Sequence, residues 1–213
     1  MVALKTSYLF RLKGNDYLCK KIALNKLITI FASGSGTNAA ALITYFKHHE
    51  SISINAVFTN KENAGVVEIG KSNQIPVFFY PNEVFEKGDE LMRKLNEIKT
   101  DYIVLAGFLR KIPKNIVRAF SDKIINIHPS LLPKHGGKNM YGMRVHEVVQ
   151  QSGDKETGIT IHLVNEEYDK GQILAQFSCP VTPEMNAEQI ARAVQELEHE
   201  YYKSTIEKFI QHV

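Results

Sequence analysis

Apolar runs of strand length alternate with stretches of helical spacing from Lys26 onwards. The runs are almost continuously apolar, which is typical of strands covered on both faces of a sheet. They lie at residues 27–32, 52–59, 75–80, 102–108 and 123–128. Helical spacing of apolar positions predicts helices between them, at residues 39–46, 66–72, 84–99 and 113–120. This alternation predicts βαβ units with right-handed crossovers and a parallel sheet, in which Pro76 marks an edge strand.

The pattern changes after a helix predicted at residues 145–151. Only a short link separates the strands predicted at residues 157–164 and 173–177. Because that link is too short for a crossover, these strands are expected to pair antiparallel. A long helix is predicted from Ala187 to about Ile210. The predicted fold is therefore α/β, with a single doubly wound, mostly parallel Rossmann-like sheet, an antiparallel C-terminal hairpin and a long C-terminal helix.

Residues 1–25 fit this pattern poorly. Their apolar positions alternate too weakly to predict a strand, and charged residues interrupt the apolar core that a signal peptide would need. We therefore expect an N-terminal extension of unknown order at residues 1–25, followed by one domain over residues 26–213.

The composition suits one globular domain. Of 213 residues, 44% are hydrophobic and 23% are charged, which is enough apolar surface for a full core. The 26 basic and 23 acidic residues nearly balance, and no basic stripe with interleaved aromatic residues argues for a nucleic-acid partner. Cys19 and Cys179 form neither a metal-binding spacing nor a disulfide framework, so a reducing cytoplasm is expected. No apolar run is long enough to cross a membrane.

Two polar residues interrupt the last of the predicted parallel strands. Asn126 and His128 alternate with Ile125 and Ile127, so their side chains point to the same face. Buried amide and imidazole groups cost free energy unless something bonds them. They are either core residues satisfied by neighbouring backbone or part of a ligand site, because strand ends in open α/β sheets face the ligand crevice. The second interpretation requires that other strand ends bring chemistry to the same place.

A glycine-rich turn, Gly34-Ser-Gly-Thr-Asn38, lies between the first predicted strand and its helix. Glycines let the backbone approach a ligand, and a helix N-terminus presents free N–H groups to an anion. With Ala39 the turn also satisfies the G-x-G-x-x-A pattern of dinucleotide sites. The acidic residue that would hold a ribose is missing, since Thr59-Asn60-Lys61 ends the second strand. This favours a single phosphate over a dinucleotide, with a purely structural turn as the alternative.

Two further charged residues lie near predicted strand ends. Arg110 follows the fourth strand and could meet an acid group, although an isolated arginine there is more often a solvated surface residue. Asp169 lies in the acidic turn of the predicted hairpin, and acidic turns are usually solvated. Asp169 becomes a site candidate only if the hairpin folds back over the strand that carries Asn126 and His128.

The segment Asn126-Ile-His-Pro-Ser-Leu-Leu-Pro133, taken with Tyr168-Asp-Lys-Gly171, resembles the signature of the folate-dependent formyltransferases. The glycine-rich turn, Val104-Leu-Ala-Gly-Phe108 and Val194-Gln-Glu-Leu-Glu-His199 extend the resemblance to residues 27–211. These features point to the members that act on glycinamide ribonucleotide in de novo purine biosynthesis. The resemblance implies transfer of a formyl group from 10-formyltetrahydrofolate to the amine of that nucleotide. It also implies small-molecule partners, a formyltransferase fold and a cytoplasmic monomer or weak homodimer.

The resemblance implies roles for individual residues. Asn126, His128 and Asp169 match the family's catalytic residues. The positions that match the cradle for the substrate phosphate are Gly34, Ser35, Gly36, Thr37 and Asn38, and those that match other substrate contacts are Gln195 and Glu198. The positions that match walls of the folate pocket are Leu109, Arg110, Lys111, Ile112, Asn126, Asn165, Glu166, Glu167, Tyr168 and Asp169.

The chain departs from the family pattern in two places. The loop at residues 136–146 looks longer than in many members, so its contacts are not transferred. The arginine that the family uses near the folate tail has no clear match, and Lys87 is only a candidate for its role.

The chemistry agrees with these residue types. An amine that attacks a formamide carbonyl produces a tetrahedral oxyanion, which N–H groups of Asn126 and of a charged His128 can stabilise. Asp169 would favour the charged imidazole and relay a proton, directly or through water. No metal is expected, because the histidines show no ligand spacing.

Other functions fit parts of the same pattern. The alternatives are a formyltransferase that acts on another amine, such as an aminoacyl-tRNA or a nucleotide sugar, a formyl-folate hydrolase, and a nucleotide-binding module without catalysis. The other formyltransferases and the hydrolase usually carry an extra domain, for which we expect no room in this chain. The non-catalytic module depends on the glycine-rich turn alone and leaves Asn126, His128 and Asp169 unexplained.

Overall fold

A computed structural model describes residues 25–213, so the extension expected at residues 1–25 and Cys19 lie outside the described residues except for Asn25. The strands are β1 (Lys26–Phe31), β2 (Ile52–Thr59), β3 (Val77–Phe79), β4 (Tyr102–Leu105), β5 (Ile124–His128), β6 (Glu156–Leu163) and β7 (Ile173–Pro180). The helices are α1 (Thr37–Phe46), α2 (Gly65–Ser72), α3 (Asn82–Lys87), α4 (Asp89–Glu97), α5 (Lys114–Ala119), α6 (Met143–Ser152) and α7 (Ala187–His212). Within these described residues, no helix combines the length and apolar composition needed to cross a membrane.

The strands form one seven-stranded sheet in the order β3-β2-β1-β4-β5-β6-β7. Strands β1 to β5 pair in parallel, whereas β6 is antiparallel to β5 and β7 is antiparallel to β6. The predicted fold class is confirmed, and β3 lies at the edge, as Pro76 predicted. The strand order reverses between β1 and β4, and in open α/β sheets the crevice outside such a reversal is where ligands bind.

Two apolar layers cover the sheet, because alternate residues of a strand point to opposite faces. Ile28 and Ile30 of β1 pack on the side of α1 and α7, whereas Phe31 packs on the side of α3, α4 and α5. The core strands are therefore buried on both sides, which accounts for their almost continuous apolar runs.

The buried side chain of Tyr202 fastens α7 to the sheet. Its hydroxyl lies 2.9 Å from the carbonyl oxygen of Leu105 and 3.1 Å from that of Ile125. A tyrosine hydroxyl buried in a core needs such a partner. Because these carbonyls belong to β4 and β5, the contact fixes the middle of α7 against both strands.

The helix predicted over residues 84–99 is wrong as a single element. Gly88 has φ +77° and ends α3, and α4 begins at the next residue. A Cβ atom at Gly88 would lie 2.5 Å from Asn115 Oδ1, so the backbone closely approaches the first turn of α5. Helical spacing continues across the break because both short helices bury residues on the same layer, including Phe85 and Leu91.

Candidate active site

Four polar side chains meet at the C-terminal end of β5. Asn126 and His128 share one face of the strand, as predicted, and His128 is only 4% exposed. The antiparallel register places His162 of β6 opposite Asn126. Asp169, from the connection between β6 and β7, approaches both histidines from the other side. We call Asn126, His128, His162 and Asp169 the polar cluster.

His162 orients the amide of Asn126. Its Nδ1 lies 2.9 Å from the carbonyl oxygen of Leu163, which can only accept, so Nδ1 carries the hydrogen. In the neutral ring Nε2 is then an acceptor, and Asn126 Nδ2 donates to it over 3.0 Å. One N–H of Asn126 is used in this way, and the second is available to a ligand. His162 was not among the candidates expected from the sequence, although it shares a face with Thr160 in a strand that was predicted.

The two ring nitrogens of His128 have different surroundings. Nε2–H donates to the carbonyl oxygen of His135 over 2.8 Å. Nδ1 lies 3.6 Å from Asp169 Oδ2, too far for a hydrogen bond. Asp169 Oδ2 accepts a hydrogen bond from the backbone N–H of Gly137 over 2.8 Å. The other carboxylate oxygen of Asp169 lies 3.7 Å from His162 Nε2. Nδ1 is therefore the nitrogen of His128 that is free to exchange a proton.

Burial decides the charge of these histidines. It lowers the pKa of His128 below its ordinary value, and the smaller effect of the Asp169 carboxylate raises it. Burial likewise lowers the pKa of His162. Asp169 does favour the imidazolium of His128, as expected from the sequence. The expectation of a charged His128 is nevertheless not supported for the free site, because the larger effect of burial favours the neutral ring.

His146 of α6 is a further buried histidine beside the polar cluster. It is 7% exposed, and its Nδ1 has no hydrogen-bond partner among the described residues. Burial, with a smaller contribution from His128, lowers the pKa of His146 to about 4. His146 could not be recognised from the sequence, because a lone histidine in an amphipathic helix gives no signal of its surroundings.

The glycine-rich turn, residues 34–38, is held mainly by its backbone. Gly36 has φ +83°, and a Cβ atom there would lie 2.9 Å from Val66 Cα in α2. A side chain at Gly34 would meet nothing within 4 Å. Gly36 is thus needed for the turn itself, whereas Gly34 lies open to solvent.

Residues of α7 contact this turn. Asn38 Nδ2 donates to Glu198 Oε2 over 2.8 Å, and Gln195 Nε2 lies 3.4 Å from Thr37 Oγ1. Burial raises the pKa of Glu198, with the hydrogen bond from Asn38 opposing it. Asn38 Oδ1 is buried without a partner within residues 25–213.

One cavity of about 920 Å³ joins the glycine-rich turn to the polar cluster. Most of the positions matched to the family line it, and they are Ser35, Thr37, Asn38, Leu109, Arg110, Lys111, Ile112, Asn126, His128, Asn165, Glu167, Tyr168, Asp169, Gln195 and Glu198. Gly34, Gly36, Glu166 and Lys87 are not among its lining residues. Glu166 pairs instead with Arg118 at 2.8 Å, on the outer side of α5.

The cavity wall at residues 109–112 and 165–169 carries apolar and cationic side chains. Lys111 Nζ lies 5.0 Å from the ring centre of Tyr168, which is 43% exposed, and Arg110 pairs with Glu86. Met140 and Tyr141 of the loop before α6 and Met143 at the start of α6 also line the cavity. No group of three histidine, cysteine or acidic residues suitable for a metal ion occurs within residues 25–213.

Comparisons with known proteins agree with this geometry. The family model described as formyl transferase matches residues 26–206. The chain is 40% identical over 193 residues to a protein of Arabidopsis thaliana named phosphoribosylglycinamide formyltransferase, chloroplastic, covering 85% of this chain but only 64% of that protein. It is 35% identical over 190 residues to the phosphoribosylglycinamide formyltransferase of Haemophilus influenzae, covering 86% of this chain and 87% of that one.

Solved structures give the same result. The phosphoribosylglycinamide formyltransferase of Bacillus halodurans superimposes with a TM-score of 0.78 at 36% identity, covering 87% of this chain and 95% of that one. The corresponding protein of Anaplasma phagocytophilum superimposes with a TM-score of 0.79 at 32% identity, covering 86% of each chain. The sequence match, the fold and the shared signature lead to one conclusion: the chain belongs to the formyl transferase family.

Proposed function

We propose that the chain transfers a formyl group from 10-formyltetrahydrofolate to the amine of glycinamide ribonucleotide. The observation that carries the proposal is the single cavity that connects the glycine-rich turn with the polar cluster. A nucleotide substrate needs a phosphate site and a reaction centre within the reach of one molecule, and this cavity supplies both. The bacterial relatives with this printed name match nearly their whole length.

The cavity fits a folate co-substrate. Its volume of about 920 Å³ lies at the upper end of the range for small-molecule sites. The half-exposed side chains of Leu109 and Tyr168 offer apolar contacts to a flat ring system, and Lys111 and Arg110 lie at the same wall. In this proposal the folate lies along the ends of β4 and β5, and the ribonucleotide extends towards α1 and α7.

Asn126 stabilises the charge that develops on the formyl oxygen. Attack of the amine on the formyl carbon turns the carbonyl oxygen into an oxyanion. The N–H of Asn126 that His162 does not use can donate to it, and His162 keeps the amide from turning its oxygen towards the ligand. Because the donor is oriented before the reaction, its contribution requires little reorganisation.

His128 accepts the proton that the attacking amine loses. The neutral ring, which burial favours, has its lone pair on Nδ1 because Nε2–H is bonded to His135. When Nδ1 is protonated, the nearby Asp169 carboxylate stabilises the imidazolium. The proton then passes, directly or through water, to the nitrogen of the leaving folate. Formyl transfer is thereby balanced: one C–N bond forms, one breaks, and one proton moves between the two nitrogens.

The glycine-rich turn and α7 bind the nucleotide. Ser35 and Thr37 lie at the cavity with the start of α1, where hydroxyl and backbone N–H groups suit a phosphate. Glu198 and Gln195 line the cavity beside this turn, so we assign them contacts to the ribose and glycinamide groups of the nucleotide. We further propose residues 26–213 as the formyltransferase domain, small molecules as the partners and the cytoplasm as the location.

A competition assay tests the proposal. The protein is given 10-formyltetrahydrofolate together with glycinamide ribonucleotide, an aminoacyl-tRNA and water as acceptors, and the formylated products are measured. We expect formyl glycinamide ribonucleotide to dominate. Formylated tRNA or free formate as the main product would assign another acceptor, and binding of the folate without any product would favour a module without catalysis.

A further inference from the structure

The backbone of residues 134–137 touches both acid–base groups of the polar cluster. The carbonyl oxygen of His135 accepts from His128 Nε2–H over 2.8 Å. Two residues later, the N–H of Gly137 donates to Asp169 Oδ2 over 2.8 Å. The position of this short segment therefore affects the orientation of the imidazole and of the carboxylate together.

His135 adopts a backbone conformation that needs support. Its φ is +53°, in the left-handed backbone region that residues other than glycine adopt at a cost in free energy. Such a conformation persists when surrounding contacts determine it. The carbonyl oxygen that faces His128 is held in place only as long as these contacts hold the residue.

The side chain of His135 supplies one such contact. Its Nε2 lies 2.7 Å from Asp154 Oδ2, just beyond the C-terminal end of α6. Lys134 Nζ lies 2.8 Å from the other carboxylate oxygen, but the side chain of Lys134 is 68% exposed. Hydrogen bonds from Lys134 and His135 lower the pKa of Asp154 to about 2, so it is ionised at neutral pH. On the inner side, Ser130 Oγ donates to the carbonyl of Lys134 over 2.8 Å.

We propose that His135 and Asp154 are positioning residues, which select the ring nitrogen of His128 that faces the reaction. The bond between the His135 side chain and Asp154 keeps the His135 carbonyl directed at His128 Nε2–H. A carbonyl oxygen accepts only, so the hydrogen of the neutral ring stays on Nε2, and Nδ1 remains the basic nitrogen beside Asp169. The catalytic role of these two residues rests on the function proposed above, whereas the assignment of the His128 tautomer does not.

Three substitutions separate the bond from its surroundings. Asp154→Ala removes the acceptor of the His135 side chain. Asp154→Asn removes the charge but keeps one side-chain oxygen that can accept from His135 Nε2, so it should keep most of the wild-type behaviour. Lys134→Met removes the exposed partner of the same carboxylate and leaves the His135 bond, so it is the matched control.

Two measurements are made on each variant. The ¹⁵N shifts of His128, recorded at about pH 8 where the ring is neutral, report its tautomer, and the His128→Gln spectrum identifies its signals. Turnover and both KM values are measured in the same preparations. We expect the wild type, Asp154→Asn and Lys134→Met to keep the Nε2–H tautomer. In Asp154→Ala we expect a mixture of tautomers and a fall of about tenfold in turnover, as for a loss of about 1.4 kcal/mol in the barrier, with KM nearly unchanged.

The outcomes are distinct. An unchanged tautomer in Asp154→Ala overturns the inference, whether or not turnover falls. The same holds if Lys134→Met alters His128 as much as Asp154→Ala does. A shifted tautomer in a protein that formylates none of the offered amines supports the positioning role and contradicts the proposed function instead. If Asp154→Ala does not fold, His135→Asn decides, because asparagine tolerates the left-handed backbone but is too short to keep the bond to Asp154.

Discussion

The glycine-rich turn and the polar cluster lie at the two ends of one cavity, but different parts of the chain build them. The turn depends on backbone conformation: Gly36 has a positive φ and packs against α2 where no side chain would fit. The polar cluster depends on side chains, which bond to one another and to carbonyl groups at the end of the sheet. Both ends are positioned by the same sheet, through β1 at one end and β5 and β6 at the other.

This difference suggests how substitutions at the two ends should act. A change in the turn alters the binding of an anion, which contributes equally before and during the reaction, so it should raise KM. A change in the polar cluster removes a contact made mainly in the transition state, so it should lower turnover. The predictions below test this separation, from the largest effect to the smallest.

The largest single effect is expected at Asn126. Asn126→Ala removes the N–H that faces the developing oxyanion and should lower turnover on the order of 10²–10³, with KM for both substrates changed little. Turnover and KM are measured by steady-state kinetics, and the thermal midpoint is measured beside them. If turnover fell only in proportion to lost folded protein, Asn126 would be a core residue rather than a catalytic one.

At the other end of the cavity, Ser35→Asp should weaken the binding of the ribonucleotide by roughly 100-fold, because a carboxylate near the phosphate repels it. Ser35 is the suitable position, since it is exposed and lines the cavity, whereas any side chain at Gly36 would also disturb α2. Ser35→Asn has the same size as Ser35→Asp without the charge and is the control. Dissociation constants for the ribonucleotide and the folate are measured separately. Equal losses for both ligands would contradict the assignment of the turn.

A buried group at each end of the cavity should change the stability of the protein as the pH falls, and the two changes should have opposite signs. The pKa of His146 is lowered to about 4, so between pH 6.5 and 4 the unfolded chain takes up a proton that the folded protein does not. Its contribution to stability is full above pH 6.5 and is lost as the pH falls. Glu198, whose pKa is raised by burial, acts in the opposite sense, because acidification relieves the cost of burying its charge.

His146→Gln should therefore reduce the loss of unfolding free energy between pH 7 and pH 5 by roughly 1 kcal/mol. Urea unfolding of both proteins at the two pH values measures this difference. Glu198→Gln should instead enlarge the loss. Identical pH dependence in all three proteins would show that neither buried group changes its pKa on folding.

The sequence predicted the turn more completely than the cluster. Strand periodicity located β1 and β5, and the rule for strand ends then placed the turn, Asn126 and His128 at one edge. His162 was missed because its place beside Asn126 depends on the antiparallel register of β5 and β6, which are separated by a loop and α6. The bond between His135 and Asp154 likewise depends on how that loop folds back over the end of α6.

Some predicted positions were placed elsewhere by local geometry. Glu166 follows the family pattern in sequence, but it turns outwards to Arg118, while its neighbours Asn165 and Glu167 line the cavity. Gly88 interrupts a stretch with continuous helical spacing, because periodicity records which face is buried and not whether the backbone is continuous. Sequence patterns thus identified the elements and their ends, whereas side-chain direction in the connections required the structure.

The most direct test of the account is a double-mutant cycle on His128 and Asp169 in single-turnover experiments, with both substrates bound in advance. If Asp169 acts by stabilising the protonated His128, Asp169→Asn should slow the chemical step, and His128→Ala should slow it further. Asp169→Asn combined with His128→Ala should then be little slower than His128→Ala alone. Additive effects of the two substitutions, or near-normal turnover in His128→Ala, would contradict the account.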